Sequence, residues 1–196
     1  MTFLISGAIL SAAGFLILTL AVFWGSPTVD ALDMSALRLV TPFKTRPWSL
    51  LWGFITFFGS VVGIPLISLL VAYLTDFNIE IIIRGIVAVG GSALIVQVVK
   101  ILIARARPEK LPWRRPEIEF SYPSGHTAAA TSLYLLIAGV LSASSPEGVL
   151  WFIPGIAAVL LVTFSRMTLS VHYASDILGG LLAGLLAVFV AFSLPL

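Results

Sequence analysis

Long apolar runs separated by short polar stretches make up most of the chain, and their lengths predict helices that cross a bilayer. Such a helix needs about 20 mostly apolar residues. Residues 3–24 form the first run, without a charge. With no basic leader and no small-residue cleavage site, this run is expected to stay in the mature protein. The second run, 48–74, contains Pro65, expected to kink a helix whose neighbours cover the freed carbonyl. The third, 79–104, is charged only near its ends, where Arg84 and Lys100 are expected to snorkel toward the two interfaces. Three more follow at 125–144, 149–164 and 176–196. Tryptophans at 24, 48 and 151 fall near run ends, as in an interfacial belt. The expectation is an all-α integral membrane protein, one domain over residues 1–196 with six transmembrane helices.

Six crossings place both termini on one face, with the short loops 76–78 and 145–148. The other face receives the connections 25–47, 105–123 and 165–175. The first of these mixes Leu32, Met34, Leu37, Leu39 and Val40 with Asp30, Asp33 and Arg38. It reads either as an interfacial helix lying on the membrane or as an irregular loop. No internal repeat or low-complexity tract is visible.

Composition supports the membrane reading. The chain is 59% apolar and 10% charged, against about 25% charged in a soluble domain. Disorder, a collagen repeat and a disulfide scaffold are excluded, the last because cysteine is absent. The net charge of +2 resides in a few basic loops, which favour anionic lipid over nucleic acid. Ten of the 11 Lys and Arg residues fall on or beside the second face, and only Arg84 belongs to the first. By topology alone that face is cytoplasmic; by chemistry it is where an anionic substrate is held.

Both histidines of the chain, His126 and His172, lie where a loop of the basic face meets a span. His126 ends the string Pro123-Ser124-Gly125-His126. A helix N-terminus there leaves N–H groups unpaired and favours an anion. Gly125 lets backbone approach a phosphate, and the Ser124 hydroxyl can add a donor; an N-cap without a ligand explains the same string. Asp176 follows His172 by four residues, which on a helix puts both on one face. The carboxylate then fixes the imidazole tautomer and raises the basicity of its other nitrogen. Lys100 and Arg107 are seven residues apart, two helical turns, so both are expected along one side of the third span as it leaves the membrane. Arg105, Lys110, Arg114 and Arg115 are assigned to snorkelling and orientation, with a secondary pull on anionic head groups.

Lys100 with six residues before Arg107-Pro108, then Pro123-Ser124-Gly125-His126, then Ser165-Arg166 with His172 and Asp176 behind it, resembles the three-part signature of the type 2 phosphatidic acid phosphatase superfamily. The motif-bearing stretch is 100–176. The resemblance implies a lipid phosphatase with its site at one membrane interface. His172 is implied as the nucleophile forming a phosphohistidine, Asp176 as its orienting partner, and His126 as general acid and then base. Lys100, Arg107, Ser124, the Gly125 amide and Arg166 are implied as holders of the phosphoryl oxygens. The residues read alone agree, because phosphoryl transfer depends on positioning and charge stabilisation. No cofactor is expected. A metal centre is disfavoured, since only Asp176 sits at ligand spacing from either histidine.

The substrates suggested by the family are undecaprenyl diphosphate, phosphatidylglycerophosphate, phosphatidic acid and lipid A 1-phosphate, reached laterally from the leaflet. The partners are therefore the bilayer and a membrane lipid, not nucleic acid. A phosphotransferase passing the phosphoryl group to another lipid is the second reading, because water and an alcohol meet the same intermediate. An ion or proton relay is the third, but it does not explain polar groups gathered at one interface. The resemblance implies a bacterial inner-membrane protein with its site on the periplasmic face, whereas the loop charges argue for the cytoplasmic one.

Overall fold

The computed structural model describes residues 1–43, 45–108, 120–144 and 146–196. Lys44, Lys110, Arg114 and Arg115, counted above among the basic loop residues, lie outside the described residues, as does Ser145 of a predicted loop. Among the described residues the chain is helical with no strand, and five helices are long and apolar enough to cross a bilayer: Thr2–Phe23, Ile79–Ile103, Gly125–Ala143, Gly148–Thr168 and Ala174–Ser193. In chain order the elements are α1 (Thr2–Phe23), α2 (Pro27–Leu39), α3 (Arg46–Phe57), α4 (Gly63–Leu74), α5 (Ile79–Gly85), α6 (Gly91–Ile103), α7 (Gly125–Ala143), α8 (Phe152–Thr168) and α9 (Ala174–Ser193). A π turn at Ile86–Gly90 joins α5 to α6 within one continuous span. Large side chains such as Ile9, Leu50, Leu69, Leu102 and Leu160 face outward, as they do when lipid is the solvent.

The predicted second span is built in two pieces, and Pro65 does not kink it. The helix stops at Phe57 and restarts at Gly63, where the Ser60 hydroxyl accepts from the N–H groups of Val62 and Gly63 at 3.3 and 3.0 Å. Pro65 is the third residue of α4, a position whose missing N–H has no helical acceptor to lose. At one end of this pair, Trp52 packs on Leu169 and Val171. At the other, Ala72 and Phe77 meet Ile81, Ile82 and Val140 around an apolar cavity of about 580 Å³. Neither α3 nor α4 alone is long enough to cross a bilayer, so among the described residues the six spans expected from sequence become five long helices and a broken pair.

Small residues on α9 let the other helices approach closely. A Cβ on Gly180 would lie 2.5 Å from the Ser124 carbonyl oxygen, and one on Gly184 would lie 2.6 Å from the Thr131 side chain. Small faces of this kind drive helix association in a bilayer, where burial of apolar surface gives no advantage over lipid. Phe15 of α1 completes this packing with Val96, Ala128 and Ala183. Ser132 of α7 donates to Ser92 across the α6 boundary at 2.8 Å.

The connection after α1 is helical rather than irregular. α2 buries Asp33 and Leu37 and leaves Leu32, Met34 and Leu39 exposed. Arg84, expected to snorkel, is instead buried. It donates to the Ala191 carbonyl at 2.6 Å and to Glu80 at 2.8 Å, tying α5 to the end of α9.

Candidate active site

The chain enters α7 through residues 121–124, which contain a cis peptide bond at Tyr122–Pro123. Tyr122 is buried, stacked on Phe15 and lying over Gly179. The Ser124 N–H donates to the Asp176 carbonyl oxygen at 2.9 Å, fixing the start of α7 against the start of α9. Ser124 is the N-cap: its hydroxyl oxygen accepts from the Thr127 N–H at 3.4 Å and from the Thr127 hydroxyl at 3.0 Å. Its own proton is not spent in these two contacts. Gly125 and His126 then open the helix, both partly exposed.

His172 follows the end of α8 in a short non-helical turn and is 1% exposed. The expected helical pairing with Asp176 is not what joins them, because α9 begins only at Ala174. Asp176 instead folds back over the start of its own helix, accepting from the Tyr173 N–H at 2.8 Å, as an acidic residue in a first turn does. The same oxygen, Oδ2, takes the Ser121 hydroxyl proton and lies 3.4 Å from His172 Nδ1. Nδ1 makes no hydrogen bond of normal geometry, so this contact is electrostatic. On the other side of the ring, Arg107 lies 3.4 Å from Nε2 and donates to the Val171 carbonyl at 2.9 Å. A guanidinium only donates, so this contact favours the tautomer with Nε2 unprotonated and the proton on Nδ1, toward Asp176. Burial pushes the His172 pKa down to about 4; Asp176 opposes the shift, while Arg166 and Arg107 add to it.

The cations arrive from three elements. Lys100 is buried in the last turn of α6. Arg166 is 1% exposed in the last turn of α8 and donates to the Thr56 hydroxyl of α3 at 2.9 Å. Arg107 is not carried by a continuation of α6 as expected: Ala104 adopts a left-handed conformation with φ of 48° and ends the helix. The extended residues after it deliver Arg107 to His172. His126 lies within electrostatic reach of Arg166, His172, Lys100 and Arg107. The structure thus gathers the eight residues singled out from sequence at one end of the helix bundle. Among the described residues no group of three His, Asp or Glu side chains is placed to hold a metal.

Four contributors escape a reading of the sequence. Arg105, assigned above to snorkelling, donates to Asp176 at 2.9 Å and to Asp33 at 2.8 Å, and its guanidinium lies 4.3 Å from the Tyr173 ring centre. Burial lowers its pKa, but the two carboxylates more than offset this and hold it above the usual arginine value. Asp33, Ser121 and Thr56 are the others. Only Asp33 left a local trace, a charge sharing the inner side of an amphipathic helix with Leu37.

The sequence profile of the PAP2 superfamily matches residues 81–196. The chain belongs to that superfamily. Phosphatidylglycerophosphatase B of Bacillus subtilis (strain 168) is 39% identical over 106 residues, 52% of this chain and 51% of that protein. The chain thus matches about half the length of that relative. Among solved structures, a transmembrane PAP2 type phosphatidylglycerolphosphate phosphatase from Bacillus subtilis superposes with a TM-score of 0.81 at 24% identity, over 95% of this chain and 94% of the other. LpxE of Aquifex aeolicus gives 0.67 at 23% identity, over 83% of this chain and 96% of its own. At these identities the likeness shows a shared transmembrane PAP2 fold. All three signature motifs lie inside the matched stretch, whereas Asp33 and Thr56 lie before it.

Proposed function

We propose that this PAP2 protein is a metal-independent lipid phosphatase that hydrolyses a phosphomonoester or diphosphate lipid through a phosphohistidine on His172. The observation that carries this reading is the setting of the His172 ring: buried, with Nε2 3.4 Å from Arg107 and Nδ1 3.4 Å from Asp176. In the first transfer the Nε2 lone pair attacks phosphorus and the bond to the leaving oxygen breaks. Protonated His126 gives its proton to that oxygen, releasing a lipid alcohol or, from a diphosphate, a lipid monophosphate. In the second, neutral His126 takes a proton from water, the oxygen attacks phosphorus, and the P–N bond breaks with its electrons returning to Nε2. Splitting one displacement into two in this way is covalent catalysis.

Lys100, Arg107 and Arg166, with Ser124 and the Gly125 amide, meet the charge on the equatorial oxygens, which is the main demand of phosphoryl transfer. Packing leaves room at Gly125, since a Cβ there would meet only Val96 at 3.6 Å. That suits backbone kept bare for a ligand. Of the four candidate lipids, phosphatidylglycerophosphate takes first place from the name of the curated relative. Undecaprenyl diphosphate, phosphatidic acid and lipid A 1-phosphate follow. The site opens on the periplasmic face of a bacterial inner membrane.

The purified protein is expected to release phosphate from such a lipid in the presence of EDTA, and vanadate, which mimics the trigonal-bipyramidal state, is expected to block it. His172→Ala is expected to abolish turnover. Full activity in that variant would reject the nucleophile, and strict dependence on a divalent cation would remove the mechanism.

A further inference from the structure

We propose that Arg105, clamped between Asp33 and Asp176, is a positioning residue that sets how much of the Asp176 charge reaches His172, making helix α2 part of the catalytic apparatus. This rests on the reading of His172 as nucleophile. One guanidinium serves two buried carboxylates, Asp33 at 2% and Asp176 at 0% exposure. It is held in register by Ser175, whose hydroxyl accepts from Arg105 at 2.6 Å and donates to Asp33 at 2.6 Å. The Ser175 N–H donates to the other Asp33 oxygen at 2.8 Å, so Asp33 is bolted to the first turn of α9 as firmly as to Arg105. Asp30 stands at 3.6 Å on the exposed side and adds little.

The two oxygens of Asp176 divide the work. Oδ1 takes Arg105, while Oδ2 takes Ser121 and the Tyr173 N–H and faces His172. Two carboxylates and one guanidinium leave a single negative charge behind the imidazole. Arg107, Arg166 and His126 act on His172 from the segment after α6, from α8 and from α7, and Lys100 of α6 acts on His126. A ring that gains positive character as it attacks phosphorus needs the negative charge on its Nδ1 side to stay there. A purely mechanical clip between α2 and α9 has no such requirement.

Neutral variants of similar shape separate the two roles through the pH at which kcat/KM falls on the acid side. In Asp33→Asn the guanidinium leans wholly on Asp176, so His172 is harder to protonate and the acid limb moves to lower pH. In Arg105→Gln the Asp176 charge is uncompensated, and the limb moves to higher pH. Each shift is expected to be about one pH unit, with kcat reduced and KM little changed. The double variant restores a single net negative charge, and its limb is expected to return toward that of the wild type. Phosphate release from a detergent-solubilised phosphomonoester lipid, with thermal melting as the folding control, reads all three. A limb that stays fixed in Asp33→Asn while only the amplitude drops overturns the proposal, and that variant suffices if Arg105→Gln does not fold. Turnover surviving in His172→Ala would strike the phosphohistidine reading itself, an outcome distinct from an immobile limb.

Discussion

Burial strips water from around His172, and an imidazolium there has only Asp176, 3.4 Å away and poorly aligned, to hold it. Its pKa therefore lies near 4 rather than at the ordinary 6.5. Because the neutral ring is the nucleophile, the acid limb of kcat/KM is expected to lie near pH 4, activity being lost as pH falls through it. A phosphate-release profile checks this; a break near 6.5 would mean that the ring is solvated. Asp176→Asn keeps the shape but not the charge, and is expected to lower kcat by roughly 10²- to 10⁴-fold without abolishing it. The signature residues were readable because phosphate chemistry needs few side-chain types at set spacings. Arg105 was not. An arginine at a span end looks the same whether it reaches for head groups or for Asp33, 72 residues earlier.

Close approach between α7 and α9 holds the two imidazole-bearing segments together, and it depends on particular glycines. Gly180→Leu would drive a side chain into the Ser124 carbonyl, 2.5 Å from the new Cβ. Overpacking of this kind costs about 1–3 kcal/mol and would push the His126 end of α7 away from His172. Lower thermal stability in detergent and a loss of activity are the expected outcome. Gly53 offers the control: nothing lies within 4 Å of a Cβ there, so Gly53→Ala is expected to hold or raise stability by up to about 1 kcal/mol. Span positions were legible from hydropathy because lipid offers backbone groups no alternative to the helix. The break between α3 and α4 was not, since 58–62 is as apolar as its flanks. It coincides with a tertiary contact, Gly59 pressed so close to Val162 and the His126 carbonyl that a Cβ would lie 2.5 Å from one and 3.0 Å from the other.

Orientation belongs to the molecule as a whole. Lys100, Arg105, Arg107 and Arg166 are engaged at the site, so the sequence count of loop charges for that face keeps six basic residues, Arg38, Lys44, Arg46, Lys110, Arg114 and Arg115, against Arg84 for the other. Loop charge still favours the cytoplasm, while the proposed function favours the outer leaflet. A single cysteine decides between them because the chain has none of its own. In Arg38→Cys, on the exposed side of α2, a membrane-impermeant maleimide is expected to label intact cells. Protection until lysis would turn the site inward. The stretch shared with the superfamily begins at residue 81, yet the Asp33 clamp and the Thr56 hold on Arg166 come from the first 57 residues. A graft that kept every signature residue but took its front third from another member would therefore inherit the reagents of the reaction without the grip that aims them.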